Sequence, residues 1–230
     1  MQELNKEQTK AVNFKDGPCL VLAGAGSGKT KVLTKRIVKL IETGVSPHNI
    51  LAITFTNKAA NEMKFRVHSE IGNEARKVFI GTFHSFGLKV IRENYEQLNF
   101  KNNITVIDSD DSSTIIKKIL KELNKDPKQF SPRYIKNKIS LAKNELMDPD
   151  EFSKVMLSPI DKVVIEVYRK YEETLKTNNS VDFDDLLLLP TLLFKKNKKI
   201  LEKYEEHFKY ILIDEYQDTN KVQYDLCKLL

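Results

Sequence analysis

Apolar residues follow two rhythms along this chain, and the rhythm changes partway. Cys19-Leu20-Val21-Leu22-Ala23 is a short continuous apolar run ending in glycines, the pattern of a strand buried on both faces. Beyond the glycines, Val32, Leu33, Ile37, Leu40 and Ile41 recur at helical spacing, and Gly44 lies just past them as a stop. The unit then repeats. Ile50 to Phe55 reads as a strand, and Ala59, Ala60, Met63 and Val67 line one face of a helix. Val78 to Gly81 reads as a third strand, followed by Phe83, Phe86, Leu88, Val90 and Ile91 in another helical segment. Strands alternating with helices predict a parallel sheet with helices on its faces.

After Asp108 the pattern is helical throughout. Ile115, Ile116, Ile119, Leu120 and Leu123 keep the helical period, Pro127, Pro132, Pro149 and Pro159 punctuate several helices, and no strand-like run occurs between Ser109 and Asn179. The alternation resumes with a charged helix from Lys195 to His207, a strand Tyr210-Ile211-Leu212-Ile213 and a helix beginning near Asn220. The expected fold is α/β. Residues 1–108 hold the first part of a parallel sheet, 109–180 form an inserted all-helical subdomain, and 181–230 return to the sheet.

Composition adds a charge imbalance. Lys and Arg number 38 against 32 Asp and Glu, a net charge of +6, and 40% hydrophobic residues suffice for a core. The excess is concentrated: nine Lys/Arg between Thr114 and Asn144 face only Glu122 and Asp126, nine minus two giving +7. Such a stretch suits phosphate contacts, or else a solvated helical face. Cys19 and Cys227 lie far apart without metal-ligand spacing, which predicts inert thiols in a reducing compartment. The apolar runs are too short to cross a bilayer, and Met1-Gln2-Glu3-Leu4 opens no signal segment. A soluble, cytoplasmic protein without membrane partners is expected.

The chemistry gathers at two strand ends. Ala23-Gly24-Ala25-Gly26-Ser27-Gly28-Lys29-Thr30 joins the first expected strand to the first long helix. Glycines let backbone N–H groups wrap a phosphate, and the helix start adds free N–H groups and a positive dipole end. Lys29 reaches β- and γ-phosphates, and the Thr30 hydroxyl ligates Mg²⁺. The second half of such a site is an acidic pair after another parallel strand. Asp214-Glu215 supplies it, Asp214 for Mg²⁺ and Glu215 to orient or deprotonate the attacking water. Together they specify an NTP–Mg²⁺ site, and leave open what work its hydrolysis drives.

The segments between these two motifs resemble the UvrD/PcrA/Rep group of superfamily-one DNA helicases. The similar stretches are Leu4-Asn5-Lys6-Glu7-Gln8, the P-loop that begins with Ala23, Ile53 through Met63, Gly81-Thr82-Phe83-His84-Ser85, Asp182 through Leu186 and Asp214 through Asn220. The resemblance implies a RecA-like P-loop NTPase sheet, incomplete here, with the helical subdomain inserted. It implies that Gln8 reads the adenine, that Phe55 stacks on a base of single-stranded DNA, and that Asn57, Thr82 and His84 line the DNA track. It implies that the +7 stretch touches duplex phosphates without reading sequence. ATP-driven translocation, 3′-to-5′ on single strands and serving repair or replication restart, is the activity so implied. Family members run to several hundred residues with two RecA-like domains, so this chain is expected to be an N-terminal fragment, inactive or nearly so alone. Two other readings stay open: a RecB-like helicase–nuclease subunit, and a nucleotide- or DNA-binding module without catalysis.

Overall fold

The computed structural model describes residues 4–14, 17–24, 26–155 and 158–230. In chain order, helices α1 (Lys6–Val12) and α2 (Lys29–Glu42) precede strand β1 (Ile50–Thr54), helix α3 (Asn57–Ile71), strand β2 (Phe79–Thr82) and helix α4 (Phe83–Glu93). Strand β3 (Thr105–Val106) leads into α5 (Ser109–Glu122), α6 (Pro132–Asn144), α7 (Pro149–Val155) and α8 (Pro159–Thr177). Strand β4 (Ser180–Val181), helices α9 (Asp185–Lys196) and α10 (Lys198–His207), strand β5 (Tyr210–Ile213) and helix α11 (Lys221–Leu229) complete the order. These elements form two compact units. One comprises residues up to Phe83 with Glu202–Asp218, and the other His84–Leu201 with Thr219–Leu230. The second unit contains all of 109–180 together with flanking segments on both sides.

In the first unit β1 runs between β2 and β5, and both pairings are parallel. A central parallel strand is covered on both faces, which is why Ile50, Leu51, Ala52 and Ile53 form an unbroken apolar run at no more than 1% exposure. Ile37 and Leu40 of α2 and Met63 and Val67 of α3 pack on Ile50 and Ala52 in one cluster. Parallel order brings the carboxyl ends of the three strands to one edge, where ligands bind in open α/β sheets.

One expected strand is absent. Residues 18–24 adopt no regular structure, and Leu20, Val21 and Leu22 are 68%, 44% and 86% exposed. An apolar run signals a tendency toward burial, but a strand exists only through hydrogen bonds to a neighbour, and no described strand pairs with Cys19–Ala23. The charged helix expected over Lys195–His207 also differs. Asn197, at φ −127° and ψ 90°, separates α9 from α10. Asn is a poor helix former and accepts this extended turn.

The second unit is mainly helical. Its core gathers Ile116, Ile119 and Leu120 of α5, Ile135 and Ile139 of α6, and Val164, Val167, Tyr168 and Tyr171 of α8. The Asp108 carboxylate accepts bonds from the Asp110 and Asp111 N–H groups, and Ser158 opens α8 with a capping box. Parallel β3 and β4 pair over two residues each, too short for any alternation to show in the sequence. Helices α4 and α9 pack so closely at Gly87 that a Cβ there would lie 1.7 Å from the Leu186 carbonyl oxygen. Among the described residues, no helix is long and apolar enough to cross a membrane.

Candidate functional site

The glycine-rich segment and the two acids meet in the first unit. Gly26 and Gly28 take φ of 73° and 85°, backbone conformations open to glycine at little cost. Gly28 is the N-cap of α2, so the first turn of that helix, starting at Lys29, presents free N–H groups with the positive end of the helix dipole. The Lys29 ammonium donates to the carbonyl oxygens of Ala23 at 3.2 Å and Gly24 at 3.5 Å. It also lies 3.8 Å from Glu215 Oε2. The Thr30 hydroxyl donates to Asp214 Oδ2 at 3.3 Å. Ser27 turns back on the loop, its hydroxyl donating to the Gly24 carbonyl at 2.6 Å. Ala25, also expected in the phosphate cradle, lies outside the described residues.

The sheet delivers the acids. The Asp214 N–H donates to the Ile53 carbonyl at 2.9 Å, extending the β1–β5 ladder by one residue and holding Asp214 at the strand end. Burial, and then the neighbouring Glu215 carboxylate, push the Asp214 pKa above the usual range, while the Thr30 hydrogen bond opposes the rise. Glu215 has φ of 49°, a conformation a residue with a side chain rarely adopts, costing about 1–2 kcal/mol. Its carboxylate accepts from Gln217 Nε2 at 2.5 Å. A carboxylate and a hydroxyl side by side are hard oxygen donors, the set that suits Mg²⁺ held partly by water and partly by a nucleotide's phosphates.

Gln8 stands over the same loop. Its Oε1 accepts from the Asn5 N–H at 3.0 Å, closing the capping box of α1, and its Nε2 donates to the Ser27 carbonyl at 2.9 Å. Each amide atom makes one bond to the chain, which leaves the second Nε2 hydrogen and the second Oε1 lone pair for a further partner. A Cβ on Gly28 would lie 3.0 Å from Gln8 Nε2, so the glycine also admits this contact.

The residues expected along a DNA track are distributed between the units. Phe55, half-buried just beyond β1, meets Phe83 edge-on at 5.6 Å. Asn57 begins α3 on the surface, next to Thr56, whose side chain caps that helix. Thr82 ends β2 with 6% exposure, which leaves little of its side chain to a ligand. His84 belongs to the second unit, where its ring stacks on Phe183 with centroids 3.8 Å apart and planes 20° from parallel. Burial lowers the His84 pKa to about 4, so the ring is neutral at physiological pH. Phe183 carries no expected role in the sequence reading, although an aromatic set among Asp182, Asp184 and Asp185 is a signal worth following. Its side chain is 58% exposed.

Comparison with known proteins matches residues 4–230 to the UvrD/REP helicase N-terminal domain. The ATP-dependent DNA helicase PcrA of Bacillus subtilis is 51% identical over 228 residues, covering 99% of this chain and 31% of that protein. The protein of the same name from Staphylococcus epidermidis is 46% identical over 231 residues, covering 100% of this chain and 32% of that protein. This chain thus spans about a third of the length of the relatives it matches. With a P-loop and an acidic pair converging at the edge of a parallel sheet, and a match running from residue 4 to residue 230, the chain belongs to the UvrD/REP helicase N-terminal domain family.

Proposed function

We propose that this chain supplies the nucleotide site, and part of the single-strand contact surface, of an ATP-dependent DNA helicase that moves 3′-to-5′. The observation that supports the reading is the convergence of Lys29 and Thr30 with Glu215 and Asp214, at 3.8 and 3.3 Å, from segments nearly two hundred residues apart. ATP enters with its β- and γ-phosphates over the loop between Gly24 and Thr30, where main-chain N–H groups and the start of α2 receive them. Lys29 leaves the Ala23 and Gly24 carbonyls for the phosphate oxygens, a stronger partner for an ammonium. Thr30 and Asp214 would hold the Mg²⁺ that accompanies the nucleotide, which would supply positive charge beside the phosphates. Glu215 orients the attacking water and accepts its proton, with Gln217 fixing the carboxylate that does so.

On the DNA side, Phe55 and the His84–Phe183 pair offer ring faces that stack on any base. The basic stretch from Lys117 to Lys138 meets duplex phosphates without reading sequence, while the buried Lys143 takes no part in that contact. Strand separation, in repair or in replication restart, is the work of a protein of the relatives' full length, of which this chain spans about a third.

Calorimetric titration of Mg²⁺-ATP into the chain tests the nucleotide site. Binding that disappears in Lys29→Ala supports it, and equal binding by both proteins refutes it. Phosphate release with and without single-stranded DNA then separates a motor component from a binding module that lacks catalysis.

A further inference from the structure

Lys143, in the last turn of α6, is fully buried, an unusual place for a lysine. Its ammonium donates to Asp185 Oδ1 at 2.7 Å and Asp182 Oδ2 at 2.8 Å. It also lies 2.8 Å from Glu172 Oε1 of α8, an ion contact outside hydrogen-bond alignment. Tyr171 donates its O–H to the same Asp182 oxygen at 3.1 Å. Burial opposes the charge on Lys143, but Asp185, Glu172 and Asp182 outweigh it and hold its pKa well above the ordinary lysine range. The next residue continues the pattern. Asn144 Nδ2 donates to Asp184 Oδ1 at 3.0 Å, and Asn144 Oδ1 accepts from Asn220 Nδ2 at 2.6 Å.

These bonds converge on one turn. Asp182 and Asp185 bond each other's backbone N–H groups reciprocally at 3.0 and 2.9 Å, and Lys143 ties both carboxylates to α6. Asn144 ties Asp184. Three of the four residues from Asp182 to Asp185 are thus held from α6, and the fourth is Phe183, exposed and stacked on His84. A buried ion cluster is a poor source of stability, because well-packed apolar side chains commonly do as well. What a cluster of directed bonds provides is a fixed geometry. A stacking ring contributes to binding only what remains after it is ordered, so a turn already ordered, with its ring already parallel to a second one, retains more of the stacking energy.

We propose that Lys143 and Asn144 are positioning residues that lock the Asp182–Asp185 turn and so present Phe183 as a rigid face for a nucleic-acid base, an inference resting on the single-strand contact proposed above. Neither residue touches the base; both act through Phe183.

The test is a double-mutant cycle on the 230-residue chain, using a single-stranded oligonucleotide with 2-aminopurine as both affinity and stacking probe. Phe183→Ala should weaken binding by about 5- to 150-fold, the range for losing one stacked base. Asn144→Ala leaves the Lys143 cluster intact and should weaken binding by about three- to tenfold, less than the full loss of the ring, with reduced 2-aminopurine quenching and an unchanged salt slope. In the Phe183→Ala background, Asn144→Ala should have no further effect. Lys143→Met strands three carboxylates and lowers stability, so Asn144→Ala is the deciding variant. If Asn144→Ala binds as wild type, or costs the same factor in both backgrounds, the positioning role is overturned while the DNA reading stands. If Phe183→Ala is silent there is no platform to position, and the proposal falls. Whether the chain grips single strands at all is then read from the wild-type titration.

Discussion

Replacing Gly87 by Ala sets two effects of opposite sign against each other on the same helix. In an isolated helix, Ala is better than Gly by about 1 kcal/mol, so propensity alone predicts stabilisation. The structure predicts the reverse. An added Cβ would lie 1.7 Å from the Leu186 carbonyl oxygen and 2.8 Å from its carbonyl carbon, whereas ordinary contact begins at 3.4 Å. The obstacle is backbone, so no rotamer change relieves it. Restoring ordinary separation, from 1.7 to 3.4 Å, moves α4 and α9 apart by the difference, about 1.7 Å. That displacement loosens the cluster in which Leu186 packs with Ile91, Ile104 and Val181. Overpacking costs about 1–3 kcal/mol, and a clash with backbone places this one at the upper end, so the net loss should be on the order of 2 kcal/mol once propensity is credited. For a chain of this size that corresponds to a melting temperature lower by about 4–8 °C. Urea denaturation and a thermal scan followed by far-UV circular dichroism measure both quantities. Because α9 starts at Asp185, the same variant should also weaken 2-aminopurine quenching by disturbing the Phe183 turn. A Gly87→Ala chain as stable as wild type, or more stable, would refute the close approach and the packing built on it.

Other outcomes follow from particular groups. His84 has a pKa of about 4 in the folded chain against an ordinary 6.5, so between those values the unfolded chain holds more protons. Its contribution is fully present above pH 6.5 and is lost as pH falls toward 4, amounting to at most about 3 kcal/mol for a partly exposed ring; His84→Gln should flatten that acid limb in urea titrations at pH 7 and 4.5, and an unchanged slope would count against the burial of His84. Charge reversal at the exposed Lys117, Lys118 and Lys121 should weaken duplex DNA binding equally across sequences and lower the salt slope by about 0.9 for each duplex phosphate no longer neutralised. Silent reversals would return that helical face to plain solvation. Phe55→Ala should weaken single-strand binding with little change in salt slope, because stacking releases no counterions; a slope change as large as that of the lysine variants would contradict a stacking role. Thr30→Ala should weaken nucleotide binding more in Mg²⁺ than in EDTA, and equal losses in calorimetry would remove Thr30 from the ion site.

Features encoded by neighbours along the chain were legible before any fold was known. Glycine spacing before Lys29-Thr30 marked the turn into α2 and the candidate phosphate loop, because a close-wrapped backbone and a helix start need those residue types in that order. The apolar Ile211-Leu212-Ile213 before Asp214-Glu215 marked an acid-tipped strand, and Ser109–Asn179 read as helices because its apolar period and prolines are local signals. Tertiary structure decided everything that depends on which distant segment comes close. Cys19–Ala23 has the composition of a buried strand, yet no described strand pairs with it, and pairing is not written in the run itself. Lys143 is one more lysine in a basic stretch until residues 39 and 42 positions away close around it. His84 gives no sign that Phe183, 99 positions on, stacks on its ring, nor Gly87 that Leu186 presses against its backbone. The physical reason is common to all of them. Local order is set by backbone preference and hydrophobic period over a few residues, whereas a buried charge, a ring stack or a close helix crossing depends on partners supplied by the folded chain.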